Sequence, residues 1–256
     1  MATLHFGNVT LLVTHYNRSR SLERLLQSFK KLGISFGAIV VSDDGSEPGH
    51  LDYLKLLQDG LDFRLITTEK NRGLGNNINK GQDAVTTAYT LYVQEDFDPM
   101  PAFAGHFADG LTIIDERKDI DLVRFYAYTN YPYLQPVGNG FSLMLFAIWK
   151  PGYQKFYAYS DHPHLRRSNF LQKFGRYAEG KKVEKTEYMM MMSFLRKKGK
   201  AVIYKNIHEL FEQKNSPAEP STVRRNFFRE SQGWIITGMR HLYRHLKFNF
   251  DYFFGK

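Results

Sequence analysis

Strand and amphipathic-helix patterns alternate over residues 9–93, and no other feature of the chain constrains its fold as strongly. Short apolar runs rich in β-branched residues end in polar turns, which is typical of strands, while leucine and phenylalanine recur at helical spacing between them. The predicted strands are 9–13, 38–41, 63–67 and 89–93. This alternation predicts an α/β fold with a Rossmann-like, mostly parallel central sheet and helices on both faces.

The alternation loosens after residue 98. The elements predicted beyond it are helices at 102–117 and 184–198 and strands at 122–126, 143–149 and 201–204. Residues 129–136, rich in tyrosine and proline, are expected to form an aromatic loop. Four methionines at 189–192 are expected to fill core space, because methionine adapts to irregular gaps.

Composition narrows the class of protein. Hydrophobic residues make up 43% of the chain, enough for a sizeable core, and the absence of cysteine excludes disulfides and thiolate chemistry. The formal net charge of +9 indicates an anionic partner, such as a nucleotide-bearing substrate or an acidic membrane surface. No nucleic-acid-binding motif accompanies the charge, so nucleic acid is not expected. The chain shows no secretory leader and no apolar run of ~18 residues, so a cytoplasmic location is expected.

Three carboxylates follow the fourth predicted strand: Glu95, Asp96 and Asp98. Anions so close repel each other unless positive charge lies between them, and Mg²⁺ or Mn²⁺ with oxygen ligands would suit them. In open α/β sheets, ligands bind beyond the carboxyl ends of the strands, which is where this cluster falls. A solvated acidic turn before Pro99 is the alternative, since short acidic motifs often arise by chance.

Two further polar turns follow predicted strands. Asp44, in the turn 42–46, could accept a hydrogen bond from a base N–H or a ribose hydroxyl, although an ordinary turn is the alternative. Arg72 lies in the glycine-rich turn 71–75 and could contact a nucleotide. The Gly-x-Gly of this turn follows the third strand rather than the first, so it is not a dinucleotide-binding fingerprint.

Taken in order, the segments 13–17, 41–46, 71–73 and 95–96 resemble the inverting, nucleotide-sugar-dependent glycosyltransferases of family 2, which have the GT-A fold. A helix from about Thr186 to Gly199 extends the likeness, which covers residues 8–204. The resemblance implies a glycosyltransferase domain at 1–214, with a nucleotide-binding half at about 8–98 and an acceptor half at about 99–214. A basic, aromatic and helical C-terminal extension, 215–256, follows it.

The resemblance also implies roles for single residues. The implied ligands of the nucleotide sugar are Thr14, Tyr16, Asn17, Asp44, Arg72 and Glu95. The implied ligands of a divalent metal, Mn²⁺ or Mg²⁺, are Asp96, Asp98 and His208. In the family's Asp-x-Asp metal motif, Gln94 stands at the first aspartate and Asp96 at the second.

Glu187 is the implied catalytic base. Many relatives read Thr-Glu-Asp where this chain has Thr186, Glu187 and Tyr188. A tyrosine, with an ordinary pKa of about 10, is a poor base near neutrality, so the role falls to Glu187. The polar stretch 161–164 contains two histidines, and an acceptor-side loop is favoured there over a metal site.

The function implied is transfer of a hexose or N-acetylhexosamine from a nucleotide sugar to a hydroxyl of a glycan or lipid-linked acceptor, in bacterial surface polysaccharide biosynthesis. A UDP-sugar is the expected donor. Two alternatives stay open. A sugar nucleotidyltransferase would need a glycine-rich basic loop at 14–17, which the chain lacks. A catalytically lost nucleotide- or glycan-binding relative is favoured by the departures at Gln94 and Tyr188.

The C-terminal extension carries a basic amphipathic pattern. From Thr222 to the end there are seven Lys or Arg residues (224, 225, 229, 240, 244, 247 and 256) against two acidic ones. Apolar residues at helical spacing are Ile235, Met239, Leu242, Leu246, Phe250 and Phe253. Such a stripe could lie peripherally on the inner face of a membrane, or pack on the catalytic domain or on a second subunit of a homodimer. The pattern leaves these occupants open.

Overall fold

A computed structural model of the chain describes residues 3–215, residue 219 and residues 234–255, with side chains of the last helix described from residue 237. Some predictions lie outside these residues. They concern the break at 215–221, apart from Asn215 and Glu219, the cations at 224, 225, 229 and 256, and the side chain of Ile235.

The first half of the chain builds parallel strands in the spatial order β3-β2-β1-β4. The strands are β1 (Leu4–His15), β2 (Ile34–Asp43), β3 (Arg64–Ile66) and β4 (Tyr89–Gln94). The connecting helices are α1 (Ser19–Lys31), α2 (Pro48–Gln58) and α3 (Leu74–Asp83). The predicted alternation is confirmed. Parallel strands end at the same edge of a sheet, so the polar turns after β1, β2 and β4 come together.

The second half continues the same sheet with mixed strand directions. In the described part of the chain, nine strands follow the order β3-β2-β1-β4-β9-β6-β10-β8-β7. The added strands are β6 (Leu122–Arg124), β7 (Leu134–Gly138), β8 (Phe141–Met144), β9 (His164–Arg167) and β10 (Ala201–Tyr204). The added helices are α4 (Phe103–Glu116), α5 (Phe170–Phe174) and α6 (Val183–Arg196), with a 3₁₀ turn at Gln154–Phe156.

Three expectations about this half need correction. β7 takes up the end of the predicted aromatic loop, and the strand expected at 143–149 is β8, which ends at Met144. The polar stretch at 161–164 leads into β9, which lies antiparallel between β4 and β6. The acidic stretch contains a short strand, β5 (Phe97–Pro99), paired with β11 (Phe211–Gln213) in a second small sheet.

Apolar side chains pack on both faces of the large sheet. On one face, buried residues of α1 and α4 such as Leu25, Phe29 and Phe107 pack on the strands. On the other face lie residues of α3, α5 and α6, including the buried Met190, Met191 and Met192. The core-filling role predicted for the methionines is therefore confirmed for these three, and Met189 is half-buried.

The last helix, α7 (Trp234–Phe254), packs on α6 by one face. Phe248 is 8% exposed, and its ring lies 5.0 Å from that of Tyr188. The predicted apolar stripe, from Met239 to Phe253, lies on the opposite face and is exposed. The alternative that this stripe packs on the catalytic domain is therefore wrong. Within the described residues, none of the helices combines the length and apolar character that a membrane crossing requires.

Two helical glycines provide a test of this packing. A Cβ on Gly75, in α3, would lie 2.3 Å from the backbone oxygen of Ala178, whereas a Cβ on Gly105, in α4, would meet no atom within 4 Å. Gly75→Ala should lower the free energy of unfolding by about 1–3 kcal/mol through overpacking. Gly105→Ala should raise it by about 0.5–1 kcal/mol, since alanine favours a helix. Urea unfolding of both variants checks the difference, and equal effects would contradict the close approach at Gly75.

Candidate active site

A buried histidine–aspartate pair fixes the turn after β1. Nδ1 of His15 donates to Oδ1 of Asp43 at 2.7 Å, and Nε2 of His15 accepts the backbone N–H of Arg18 at 3.2 Å. Because Nε2 accepts, the ring proton lies on Nδ1. Burial raises the pKa of Asp43, but hydrogen bonds from His15, Ser46 and Thr67 outweigh it and hold the pKa well below its ordinary value.

Two residues near this turn that are predicted to bind the nucleotide sugar form hydrogen bonds within the protein. Asn17 has a left-handed backbone (φ 53°), and its Oδ1 accepts the backbone N–H of Glu47 at 2.7 Å. The Oγ1 of Thr14 lies 3.0 Å from the hydroxyl of Tyr92. Tyr16, between them, is half-buried. Thr14 and Asn17 therefore shape the turn, and their roles toward a nucleotide stay predictions.

Asp44 holds the glycine-rich turn before α3. Its two carboxylate oxygens accept the backbone N–H groups of Arg72 and Gly73, at 2.9 and 2.8 Å. Burial raises the pKa of Asp44, while these two N–H groups lower it in part. The side chain of Arg72 is 55% exposed and lies 3.7 Å from Glu179. It lines a cavity of ≈ 400 Å³ between β3 and α3. Asp44 thus fixes the backbone of the glycine-rich turn.

Protein cations compensate the acidic cluster after β4. Nη1 of Arg18 lies 3.2 Å from Oδ2 of Asp96 and 3.8 Å from Oε1 of Glu95. The single Nε–H of Arg24 is shared between Oδ2 and Oδ1 of Asp98, at 2.8 and 3.1 Å, and Nζ of Lys214 lies 3.4 Å from Oδ2. The closely spaced carboxylates need positive charge nearby, and Arg18, Arg24 and Lys214 supply it.

Glu95 differs from the neighbouring carboxylates in its pKa. Burial, followed by the negative charge of Asp96, raises the pKa of Glu95 to about 8, although Arg18 opposes the rise. At neutral pH the carboxyl group of Glu95 is therefore largely protonated. Protonation removes one of the anions from the cluster, so that Asp96 and Arg18 form its ionic centre.

The predicted metal ligands do not converge into one site. Among the described residues, no three His, Asp or Glu side chains are grouped so that they could hold a metal ion. His208 is exposed and packs edge-on against Tyr126, with ring centroids 5.2 Å apart. Asp98 is occupied by Arg24 and Lys214. Asp96, whose Oδ2 accepts Nε2 of Gln213 at 2.9 Å, is left at the edge of the sheet beside Glu95.

Glu187, which is half-buried, forms an acidic pair with the buried Asp161. The backbone N–H of Asp161 donates to Oε1 of Glu187 at 3.1 Å, and the hydroxyl of Tyr159 donates to Oδ1 of Asp161 at 2.5 Å. Burial raises the pKa of both carboxyl groups, and the charge of Asp161 raises that of Glu187 further. Carboxyl groups whose pKa is raised toward neutral pH are typical of acid–base catalysis, and they also occur in structural networks.

Antiparallel pairing places this pair near the acidic cluster. Tyr92 of β4 pairs with His164 of β9, so the residues before β9 lie beside the end of β4. Aromatic rings fill the space between: the ring of His162 lies 6.0 Å from Phe97 and 5.4 Å from Tyr126. Burial, and the nearby charge of Arg124, lower the pKa of His162 to about 3, so it is neutral.

Tyr188 has a structural role of its own. Its hydroxyl donates to Oδ2 of Asp251, on α7, at 2.5 Å. Successive residues of a helix are rotated by about 100°, so Tyr188 faces α7 while Glu187 faces Asp161. The departure from the family's Thr-Glu-Asp pattern therefore coincides with the docking of the C-terminal helix.

Several residues of the site carry no motif in the sequence. Arg18 and Arg124 are single basic residues, and only folding brings them beside Asp96 and Glu187. Asp161 belongs to a stretch that the sequence marks only as polar. A weak signal existed for Arg18, since it follows the first strand and would meet any ligand at the sheet edge.

Two solved structures with a similar architecture are complexes with a nucleotide sugar. The chain is similar to Staphylococcus aureus TarS (1–349) in complex with UDP-GlcNAc, with TM-score 0.60 and 15% identity over 95% of this chain and 73% of that one. It is also similar to the mannosyltransferase PcManGT from Pyrobaculum calidifontis in complex with GDP-Man and Mn²⁺, with TM-score 0.58, 14% identity, and coverage of 94% and 63%. The fold is that of GT-A glycosyltransferases.

The family follows from sequence. The model of glycosyl transferase family 2 matches residues 10–177, more than half of the chain, and the chain belongs to that family. A relative, the poly-beta-1,6-N-acetyl-D-glucosamine synthase of Staphylococcus aureus (strain COL), is 25% identical over 88 residues, which is 34% of this chain. The match spans only 21% of that relative's length.

Asp44→Asn tests how the glycine-rich turn is held. The amide offers one acceptor oxygen where two N–H groups need one each, and its own N–H₂ would face a backbone donor. We expect the free energy of unfolding to fall by about 1–3 kcal/mol. Asp83→Asn is the control, because Asp83 forms an exposed pair with Arg176 that should contribute less than about 1 kcal/mol. Chemical denaturation measures both, and a smaller loss for Asp44 would contradict the assignment.

Proposed function

We propose that the protein is an inverting glycosyltransferase that moves a sugar from a nucleotide-sugar donor to a hydroxyl group of a glycan or lipid-linked acceptor. The observation that carries the proposal is the pair of Glu187 and Asp161, set across a few aromatic rings from Glu95 and Asp96. The first pair would provide a proton acceptor, and the second lies at a sheet edge where the positive charge of Arg18 could meet a diphosphate. Membership of family 2 supports the reaction class.

The proposed base is Glu187. The acceptor oxygen forms a bond to the anomeric carbon while the bond from that carbon to the diphosphate oxygen breaks, and the acceptor proton passes to the Glu187 carboxylate. Attack from the face opposite the leaving group inverts the centre. The N–H of Asp161 holds one oxygen of Glu187 in place, and burial gives Glu187 a proton affinity near that useful at neutral pH.

The leaving diphosphate requires positive charge. A Mn²⁺ or Mg²⁺ ion is commonly held by one or two carboxylates together with substrate phosphates. Asp96 fits that donor set and Glu95 would join it on losing its proton, whereas a cage with Asp98 and His208 does not fit. When bound, the ion would neutralise charge on the leaving group. Arg18, already 3.2 Å from Asp96, supplies a second, permanent positive charge to the same place.

The donor site is proposed to lie along the turns after β1, β2 and β3. Tyr16 and the ordered turns held by Asp43 and Asp44 would form its walls, with Arg72 at the nucleobase. A UDP-sugar is the proposed donor. TarS in complex with UDP-GlcNAc supports this choice, and PcManGT with GDP-Man shows that another base occurs within the fold. Cytoplasmic synthesis of a surface polysaccharide is the proposed setting.

A catalytically lost relative is the competing function, and Gln94 favours it. Release of nucleoside diphosphate from a panel of nucleotide sugars, with Mn²⁺ and candidate acceptors, tests the proposal. Release of free nucleoside diphosphate supports transfer. Release of pyrophosphate from a nucleoside triphosphate and a sugar 1-phosphate would instead indicate a nucleotidyltransferase. A thermal shift with a nucleotide sugar but no turnover across the panel would favour the binding relative.

Glu187→Gln should lower kcat by about 10²–10⁴-fold and leave donor affinity nearly unchanged, because the amide keeps the shape and loses the proton acceptor. Glu116→Gln, at the exposed end of α4, is the control and should keep wild-type turnover. A loss below tenfold would move the base to Asp161, which Asp161→Asn then tests directly.

The pH profile gives an independent readout. The base works only when deprotonated, so activity is present above its pKa and lost as pH falls through it. Burial and the charge of Asp161 raise that pKa, so the acidic limb of kcat/KM should lie well above pH 4.5. Asp161→Asn removes a negative charge and should move the limb toward lower pH. A wild-type limb at the ordinary value for glutamate would contradict the assignment.

Asp96→Asn should abolish the Mn²⁺-dependent part of nucleotide binding while the fold survives, because a neutral amide is a poor ligand for a divalent cation. Asp98→Asn is the matched control. It should lower stability by weakening the contacts to Arg24 and Lys214, and yet keep the Mn²⁺ effect. Thermal shift of each variant with nucleotide, with and without Mn²⁺, separates the two. An Mn²⁺ effect lost in Asp98→Asn and kept in Asp96→Asn would reverse the assignment.

A further inference from the structure

The outer face of α7 is the largest concentration of exposed apolar side chains in the described chain. Twelve large apolar residues are exposed in the described part of the chain, and seven of them lie on this helix. They include Met239, Leu242, Leu246, Phe250 and Phe253, which are 60–67% exposed. Their spacing of three and four residues places them along one side of the helix, so they form a continuous stripe.

Among the residues that the structure describes, none of the domain covers this stripe, because α7 docks on the domain by its other side. Phe248 packs between the rings of Tyr188 and Phe156, at 5.0 and 5.6 Å. Nε of Arg196, on α6, donates to the backbone oxygen of Tyr252 at 3.0 Å. These contacts fix the rotation of α7 about its axis and hold the stripe outward.

An exposed tryptophan lies beside the same helix. Trp149 is 83% exposed. Its loop is fastened by the buried Lys155, whose ammonium group donates to the backbone oxygens of Ile148 and Lys150 and, at 3.2 Å, to Oδ1 of Asn249 on α7. One buried cation therefore ties the tryptophan loop to the helix. Tryptophan is enriched at membrane–water interfaces.

Cations border the stripe. By helical rotation, Arg240, Arg244 and Lys247 share the flank of α7 between the stripe and the domain. There Arg244 lies over the ring of Tyr153, and Lys247, 37% exposed, lies over the ring of Tyr188 and pairs with Asp251. Lys150 follows Trp149 at the other flank. An apolar stripe bordered by cations, on a chain of net charge +9, complements a surface that is apolar within and anionic at its boundary.

We propose that the outer face of α7, together with Trp149, lies in the interface of an anionic lipid bilayer, with the helix axis parallel to the membrane plane. The apolar stripe enters the boundary of the acyl chains, and the flanking cations meet the lipid phosphates. This surface is separate from the proposed catalytic residues, so its test needs no enzymatic activity.

The test is co-sedimentation of the full chain with vesicles of phosphatidylcholine alone or mixed with phosphatidylglycerol. We expect binding to the mixed vesicles that weakens as salt rises, since exposed charges are screened. Leu246→Glu should lower the affinity by about tenfold or more, as expected when one large side chain is no longer buried. Trp149→Ala should lower it in the same direction.

Leu56→Glu is the matched control. Leu56 is 67% exposed on α2, so the same change of side chain there should leave vesicle binding unaltered. Unchanged melting temperatures would show that the variants are folded. Equal binding by wild type and Leu246→Glu would overturn the proposal. So would a wild-type dimer that Leu246→Glu dissociates without any vesicle binding by either form, since the stripe would then serve a second copy of the chain.

Discussion

Compensation of negative charge at the carboxyl edge of the sheet is the constraint on which the rest of the structure depends. Glu95, Asp96 and Asp98 follow one strand directly, and burial leaves them little solvent to screen their repulsion. The chain answers in three ways: Arg18 faces Asp96, two cations hold Asp98, and Glu95 keeps its proton. Arg18 and Arg24 come from the N-cap and the first half of α1 and Lys214 from the region after β11, so charge balance at this edge ties α1 and the region around residue 214 to β4.

Arg18 connects this balance to the C-terminal part of the chain. Its Nη2 donates to Oδ1 of Asn215 at 2.8 Å and to the backbone oxygen of Glu219 at 3.2 Å. The Glu219 carboxylate accepts the N–H groups of Arg20 and Ser21, each at 2.9 Å, at the first turn of α1, where an anion is favoured. Arg18, which faces the acidic cluster, is thus held by Asn215 and Glu219.

Local patterns predicted the first half of the fold because β1, β2 and β4 each contain a buried apolar run and amphipathic helices alternate with the strands. The short β3 lies within the predicted segment 63–67. β5, β9 and β11 escaped prediction, since they are three or four residues long and carry charged or polar side chains that long-range pairing alone stabilises. The same limit applies to the site. Glu187 follows from resemblance, whereas its contact with Asp161 depends on the antiparallel pairing of β9 with β4. The spacing of the apolar stripe on α7 could be predicted from the sequence. Which face of α7 packs on the domain, and which face is exposed, could not.

The neighbouring positions Glu187 and Tyr188 share one turn of α6 and serve different partners. Glu187 faces Asp161, and Tyr188 binds Asp251 on the C-terminal helix. With α7 seated on lipid as proposed, a single rigid turn of helix would set both the height and the tilt of the proposed base above the bilayer. Acceptors would then be selected by how far their reactive hydroxyl stands from the membrane plane, a criterion of reach that acts before any contact with the sugar itself.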